Sequence, residues 1–179
     1  MPYDQISIHM RDAIVSAEDK TFFENPGVDF KGLVRAGLNY ITGKTEKIQG
    51  TSTISQQLIK NVFFTAERST DRKAKEIYLS YELNNKYSKE KILELYLNKI
   101  SFGNNAYGIE EAAKTYFNKS IKDVGVLGSS ILASLPKGSS YYSPYSHRDR
   151  LMGYFSIHEL DNTKDLIKLE MNEKDAQYQ

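Results

Sequence analysis

Gly50-Thr51-Ser52-Thr53-Ile54-Ser55-Gln56-Gln57-Leu58-Ile59-Lys60-Asn61 is the stretch on which the reading of this chain turns. A glycine-led loop runs into a segment where Ile54, Leu58 and Val62 recur every four residues, the spacing of an apolar line on a short helix. Ser52 or Thr53 stands where an N-cap belongs, its hydroxyl placed to accept a first-turn backbone N–H. Thr53 and Gln56 also have the spacing of a capping box, a purely structural use of the same letters. The polar side of the segment, with Gln56, Gln57, Lys60 and Asn61, holds more hydrogen-bonding groups than solubility requires.

Helical spacing continues on both sides. Residues 8 to 20 read as a helix with Met10, Ala13, Ile14 and Ala17 on one side, ending in Glu18 and Asp19. Carboxylates at a helix C-terminus oppose the dipole, which points to a task other than stabilising the helix. Phe22, Phe23, Pro26, Gly27 and Val28 make an aromatic-rich turn, and a second helix near 30 to 42 ends at Gly43. A loop, 65 to 70, carries Arg68, and a helix from Thr70 or Asp71 to Lys86 follows, with Ile77, Leu79, Tyr81 and Leu83 among its apolar positions. Ser88 caps the next helix, whose Ile92, Leu93, Leu95, Tyr96 and Leu97 fill the core. After a polar turn at 101 to 107 come helices at 108 to 117 and 123 to 135, the latter stopped by Pro136. The class is mainly α, with a minor β element left open. Residues 1–155 read as one domain, and 156–179 as a charged, weakly ordered tail.

Composition bounds the function. At 179 residues, 40% hydrophobic and 26% charged, the chain is long enough to bury a real core. A formal charge of +1 argues against nucleic acid held by bulk electrostatics, so anion recognition must come from locally placed cations. Without cysteine there is no thiol nucleophile or thiolate metal site, and His9, His147 and His158 lack ligand spacing. No stretch approaches the roughly 18 to 20 apolar residues of a membrane span.

Two carboxyls from separate helices stand out. Arg72 and Glu76 are four apart and Lys73 three before Glu76, so all three can share a helix face. Sugar chemistry commonly uses two carboxyls, one handling a proton and the other stabilising charge. Lys60, Arg68, Arg72 and Lys73 lie near Glu76 in sequence, a local cationic group suited to a phosphate or diphosphate. Glu76 beside these cations is expected to stay ionised. Burial of Glu18 by Phe22 or Phe23 would raise its pKa toward that of a base working near neutrality.

These residues resemble a known family. Glu18-Asp19-Lys20-Thr21-Phe22-Phe23 with Gly27-Val28-Asp29 resembles the first motif of the peptidoglycan glycosyltransferase domain of class A penicillin-binding proteins. Gly50 to Asn61 resembles the second motif, Arg72 to Glu76 the third and Lys91 to Asn98 the fourth; Phe102 to Lys119 and Leu132 to Lys137 resemble later blocks. The resemblance implies a lysozyme-like helical fold and polymerisation of lipid II, with inversion, onto the 4-hydroxyl of an acceptor sugar. It implies Glu18 as the base and Glu76 as the group assisting diphosphate departure, directly or through a divalent cation (Mg or Mn). Asp19, Phe23, Ser52, Thr53, Gln56, Gln57, Lys60, Asn61, Arg68, Arg72, Lys73 and Lys137 match positions expected to bind substrate or shape the site. The implied partners are lipid II, the growing glycan strand, the membrane surface and a transpeptidase domain or partner outside this chain. The implied location is the outer face of the bacterial cytoplasmic membrane.

The chain departs from the family pattern in places. No histidine stands near Asn25 or Pro26, Gly50-Thr51 replaces a Gly-Gly or Gly-Ala pair, and Ser55 replaces a threonine. Of the fifth motif only a loose echo remains, in Arg148, Arg150, Leu151 and Met152. The missing anchor and second domain fit a fragment or a truncated product. Two alternatives stand beside the transferase: a lysozyme-like glycan hydrolase, and a non-catalytic module binding lipid diphosphate or cell wall.

Overall fold

The computed structural model describes residues 1–42, 52–64, 70–142, 144, 147, 149 and 150. Its regular structure is helical: α1 (Ile8–Glu18), α2 (Phe30–Ile41), α3 (Ile54–Phe63), α4 (Thr70–Lys86), α5 (Lys89–Lys99), α6 (Ile109–Phe117) and α7 (Val126–Gly138). Short 3-10 turns lie at Tyr3–Gln5 and Ile121–Asp123. Among the described residues the β content is one isolated antiparallel bridge, Ser101 to Tyr107. The chain is mainly α, consistent with a lysozyme-like fold. The tail expected at 156–179 lies outside the described residues.

The chain divides into two compact units, Met1–Ile6 with Ile14–Ile100, and Ser7–Ala13 with the chain from Ser101 onward. In the first unit α3 packs on both α4 and α5. Ile54, Leu58 and Ile59 are buried, but Val62 is 48% exposed and Phe63 66%. Apolar spacing identifies the face of a helix without telling how far along the axis neighbours cover it, and on α3 burial ends at Ile59. In α5, Ile92, Leu93, Tyr96 and Leu97 are buried, whereas Leu95 is exposed. At about 100° per residue Leu95 turns away from the arc those four share.

The buried line of α4 is polar. Glu76 and Ser80 are buried and Asn84 continues the same four-residue line, while Ile77, Leu79 and Leu83 are half-buried and Tyr81 is exposed. The apolar letters of this helix are therefore not its core face. Hydrogen bonds run along this polar line and across to α3: Asn84 Nδ2 donates to Ser55 Oγ and to the Ser80 carbonyl, both at 2.8 Å, and Ser80 Oγ donates to the Glu76 carbonyl at 2.6 Å. Gly27 meets this line with φ +93°, and a Cβ there would lie 2.4 Å from the Ser80 carbonyl oxygen. Only glycine accommodates both the left-handed backbone and the close approach.

The second unit packs α6 on α7. Pro136 does not stop α7 but sits in its last turn, where one missing N–H donor costs a single helical bond and the locked φ remains compatible with helix. The helix begins at Val126 rather than 123, because Ile121–Asp123 forms a separate 3-10 turn. No helix among the described residues is long and apolar enough to cross a membrane.

Candidate active site

The first turn of α3 organises the site. A helix N-terminus presents backbone N–H groups without intrahelical partners, and here side chains take them up. Thr53 Oγ1 accepts from Gln56 N at 3.1 Å, while Thr53 N donates to Gln56 Oε1 at 3.0 Å, so both halves of the capping box form. Thr53 Oγ1 donates onward to the Gly27 carbonyl at 2.7 Å, which ties the cap to the aromatic-rich turn. Asp19 Oδ2 accepts from Ile54 N at 3.1 Å, placing a carboxylate where the helix dipole favours negative charge. Thr53 and Gln56 are buried, so their side chains build the scaffold of the site.

Glu18, the last residue of α1, is half-buried. Its Oε2 accepts from Gln57 Nε2 at 2.8 Å, and Gln57 Oε1 accepts from the Tyr96 hydroxyl at 3.0 Å. A carboxylate only accepts, so the two bonds together set which end of the Gln57 amide faces Glu18. Tyr96 is fully buried, and burial, reinforced by the charges of Glu18 and Asp19, holds its hydroxyl well above the ordinary phenol value. It therefore stays protonated and keeps donating.

Beside this chain lies a second cluster. Asp19 accepts from Asn25 Nδ2 at 3.0 Å and from Thr21 Oγ1 at 3.3 Å, and Asn25 Oδ1 accepts from Gly27 N at 2.9 Å. Lys89 Nζ donates to the Asn25 carbonyl at 2.6 Å and stands 4.7 Å from the centre of the Phe22 ring. Burial raises the Asp19 carboxyl, opposed by the bonds from Ile54, Asn25 and Thr21 and by the Lys89 charge. Burial also lowers Lys89, against the attraction of Asp19. Asp19 is thus the carboxyl whose burial is tied directly to the α3 cap.

The second acid is reached from α4. Glu76 is buried, and its Oε1 lies 2.5 Å from Lys73 Nζ, which also donates to Ser52 Oγ at 3.2 Å. Ser52 immediately precedes the α3 cap. Glu18 through Gln57 and Glu76 through Lys73 and Ser52 are therefore both tied to the start of α3.

Lys60 and Asn61 are exposed in the last turn of α3, about 10 Å along its axis from the cap. Phe23 is exposed beside the buried Phe22, their rings 5.1 Å apart edge to face. Arg72 is half-buried on α4, and Lys137 is exposed in the last turn of α7 in the second unit. Arg68 lies outside the described residues. Reading by sequence missed Tyr96, Asn25 and Lys89: the first looks like core on an apolar helix, and the others carry no spacing that marks them as site residues. The resemblance of Lys91 to Asn98 to the fourth motif was the one available signal for Tyr96.

A resident divalent cation at Glu76 finds little here. Its carboxylate is paired with the Lys73 ammonium, and no group of three or more His, Asp or Glu among the described residues could hold a metal. Among the described residues this donor set does not fit a divalent cation.

A family model described as Transglycosylase matches residues 1–157. The chain is 43% identical over 147 residues to penicillin-binding protein 1F of Bacillus subtilis (strain 168), a match covering 82% of this chain and 20% of that protein. It is 42% identical over 150 residues to penicillin-binding protein 1A of Aquifex aeolicus (strain VF5), covering 83% and 20%. Against penicillin-binding protein 1A of Rickettsia typhi (strain ATCC VR-144 / Wilmington) the identity is 39% over 155 residues, covering 84% and 20%. The chain spans about a fifth of the length of these curated relatives.

Proposed function

This chain belongs to the transglycosylase family, the peptidoglycan glycosyltransferase domain of class A penicillin-binding proteins, and from that premise we propose that it polymerises lipid II into glycan strands. The acceptor's 4-hydroxyl oxygen attacks the anomeric carbon of the donor. The new O–C bond forms as the bond from that carbon to the lipid diphosphate breaks, with inversion. Glu18 takes the hydroxyl proton, and the diphosphate leaves with the bonding electron pair. Lys73 and Arg72, with Arg68 and Lys60, offset its charge, and Glu76 holds Lys73 in place.

The observation that carries this reading is the convergence of Glu18 and the Lys73–Glu76 pair on the start of α3 through Gln57 and Ser52. A cation locked beside the second acid has a use in diphosphate departure and none in cleaving a neutral glycan, which favours transfer over hydrolysis. Membrane-surface contact is supported by α2, whose Phe30, Val34, Leu38 and Ile41 are 52%, 63%, 56% and 80% exposed along one helical stripe. A lipid-linked substrate puts the reaction at the outer face of the cytoplasmic membrane, alongside a transpeptidase domain or partner.

The test is glycan formation from labelled lipid II in detergent by the chain and by Glu18→Gln, with and without moenomycin. Polymer from the native chain alone, blocked by moenomycin, is expected. Equal polymer from both would remove Glu18 as the base. Binding of lipid II with no polymer from either would favour the binding module.

A further inference from the structure

We infer that Tyr96 is a positioning residue for the transfer reaction, acting through the Gln57 amide to fix the carboxylate of Glu18. The inference rests on the reading of Glu18 as the base. Gln57 has two chemically opposite ends on one amide plane, and its rotation about the last side-chain bond exchanges them. With Nε2 toward Glu18, 2.8 Å away, it donates to a carboxylate oxygen. With Oε1 in that place, two acceptors would face each other. The carboxylate, which only accepts, selects the first arrangement, and the Tyr96 hydroxyl, 3.0 Å from Oε1, donates to the far end of the amide and holds it there.

Three features make this more than a core tyrosine with a satisfied hydroxyl. Tyr96 has no measurable exposure, so its ring is locked by packing and its hydroxyl has little freedom to seek water. The three groups come from three different helices, α1, α3 and α5, so the contact is not a by-product of local sequence. Gln57 is only half-buried on the α3 turn that also carries the cap, so without Tyr96 its amide could turn toward solvent. A base that must meet an acceptor hydroxyl within hydrogen-bond reach depends on such support, since small misplacements are expensive in rate.

The experiment combines Tyr96→Phe, Gln57→Leu and the double variant in the labelled lipid II assay with thermal unfolding. Tyr96→Phe keeps the ring and removes the donor. It should lower kcat about tenfold with KM changed less than about twofold. In the Gln57→Leu background the same substitution should cost less than about twofold, because the relay is already broken. Full effects in both backgrounds, or a loss that tracks only the melting temperature, would overturn the inference.

A second readout does not depend on turnover. In the ¹⁵N-labelled chain the Gln57 side-chain amide resonances should move on Tyr96→Phe and, separately, on Glu18→Gln. If Glu18→Gln moves them yet still polymerises lipid II, the base assignment fails while the relay stands. If Glu18→Gln abolishes polymer but Tyr96→Phe leaves both kcat and the Gln57 resonances unchanged, the relay fails and the base stands.

Discussion

Lys73 Nζ sits 2.5 Å from Glu76 Oε1, one turn along α4, with the ammonium about a third exposed and the carboxylate almost wholly enclosed. The asymmetry decides what each side chain is for. Removing Lys73 strands a buried charge, whereas removing Glu76 leaves a cation that water can reach. Lys73→Met is therefore expected to destabilise the chain by about 1 to 3 kcal/mol, below the range for a fully buried pair because the lysine is partly solvated. Lys73→Arg should recover part of the loss. Urea unfolding of the three proteins measures it, and an unchanged midpoint for Lys73→Met would mean that Glu76 is satisfied by other groups.

Gly27 is held between the α3 cap and α4. Its carbonyl accepts from Thr53, its φ is +93°, and the Ser80 carbonyl leaves no room for a methyl group. Gly27→Ala is expected to cost about 2 to 4 kcal/mol, because strain at a left-handed residue adds to a backbone clash that a side-chain rotation cannot relieve. Thermal unfolding should show it as a fall of several degrees. A stable Gly27→Ala variant would mean that α4 moves away from the turn at little cost.

Asp19 gives a pH dependence with a defined sign. Burial raises its folded-state pKa above the ordinary 3.8. The protonated form is thus favoured by folding, and that contribution is complete below the ordinary value and lost as pH rises through the raised folded value. Stability of the native chain minus that of Asp19→Asn should therefore shift in the native chain's favour on acidification from about pH 7 to about pH 4. Urea titrations at a series of pH values give this difference directly. The opposite trend would show that the donors from Ile54, Asn25 and Thr21 outweigh burial.

The apolar stripe on α2 predicts surface binding. Val34→Asp with Leu38→Asp should reduce sedimentation with anionic phospholipid vesicles at least about tenfold, since each exposed aliphatic side chain contributes on the order of 1 to 3 kcal/mol when buried. Both side chains are exposed and neither supports the core, so melting should change little. Vesicle binding that survives the pair would remove α2 from the membrane-facing reading.

Much of this was legible in the chain itself. Helix starts at Ile54 and Lys89 were announced by Thr53 and Ser88, because capping is a local transaction between a hydroxyl and an N–H two or three residues on. The span of α4 was equally clear from its ends. The Lys73–Glu76 pair followed from spacing, since residues three apart on a helix are neighbours whatever the fold.

Tertiary structure decided the rest. Ile77, Leu79, Tyr81 and Leu83 are among the apolar positions of α4, but Glu76 and Ser80, with Asn84 continuing the line, form its inward face because Ser55 and Gly27 lie opposite. Which helix faces which is a property of the packed unit, and a polar face is buried wherever its partners also carry hydrogen-bonding groups. In the same way the family resemblance placed Gln57 among ligand contacts and apolar spacing placed Tyr96 in the core, and across three helices they form one chain of hydrogen bonds ending on Glu18. Local chemistry was readable because its partners are close in sequence. The positioning of the base was not, because its partners lie 39 residues away on either side of Gln57.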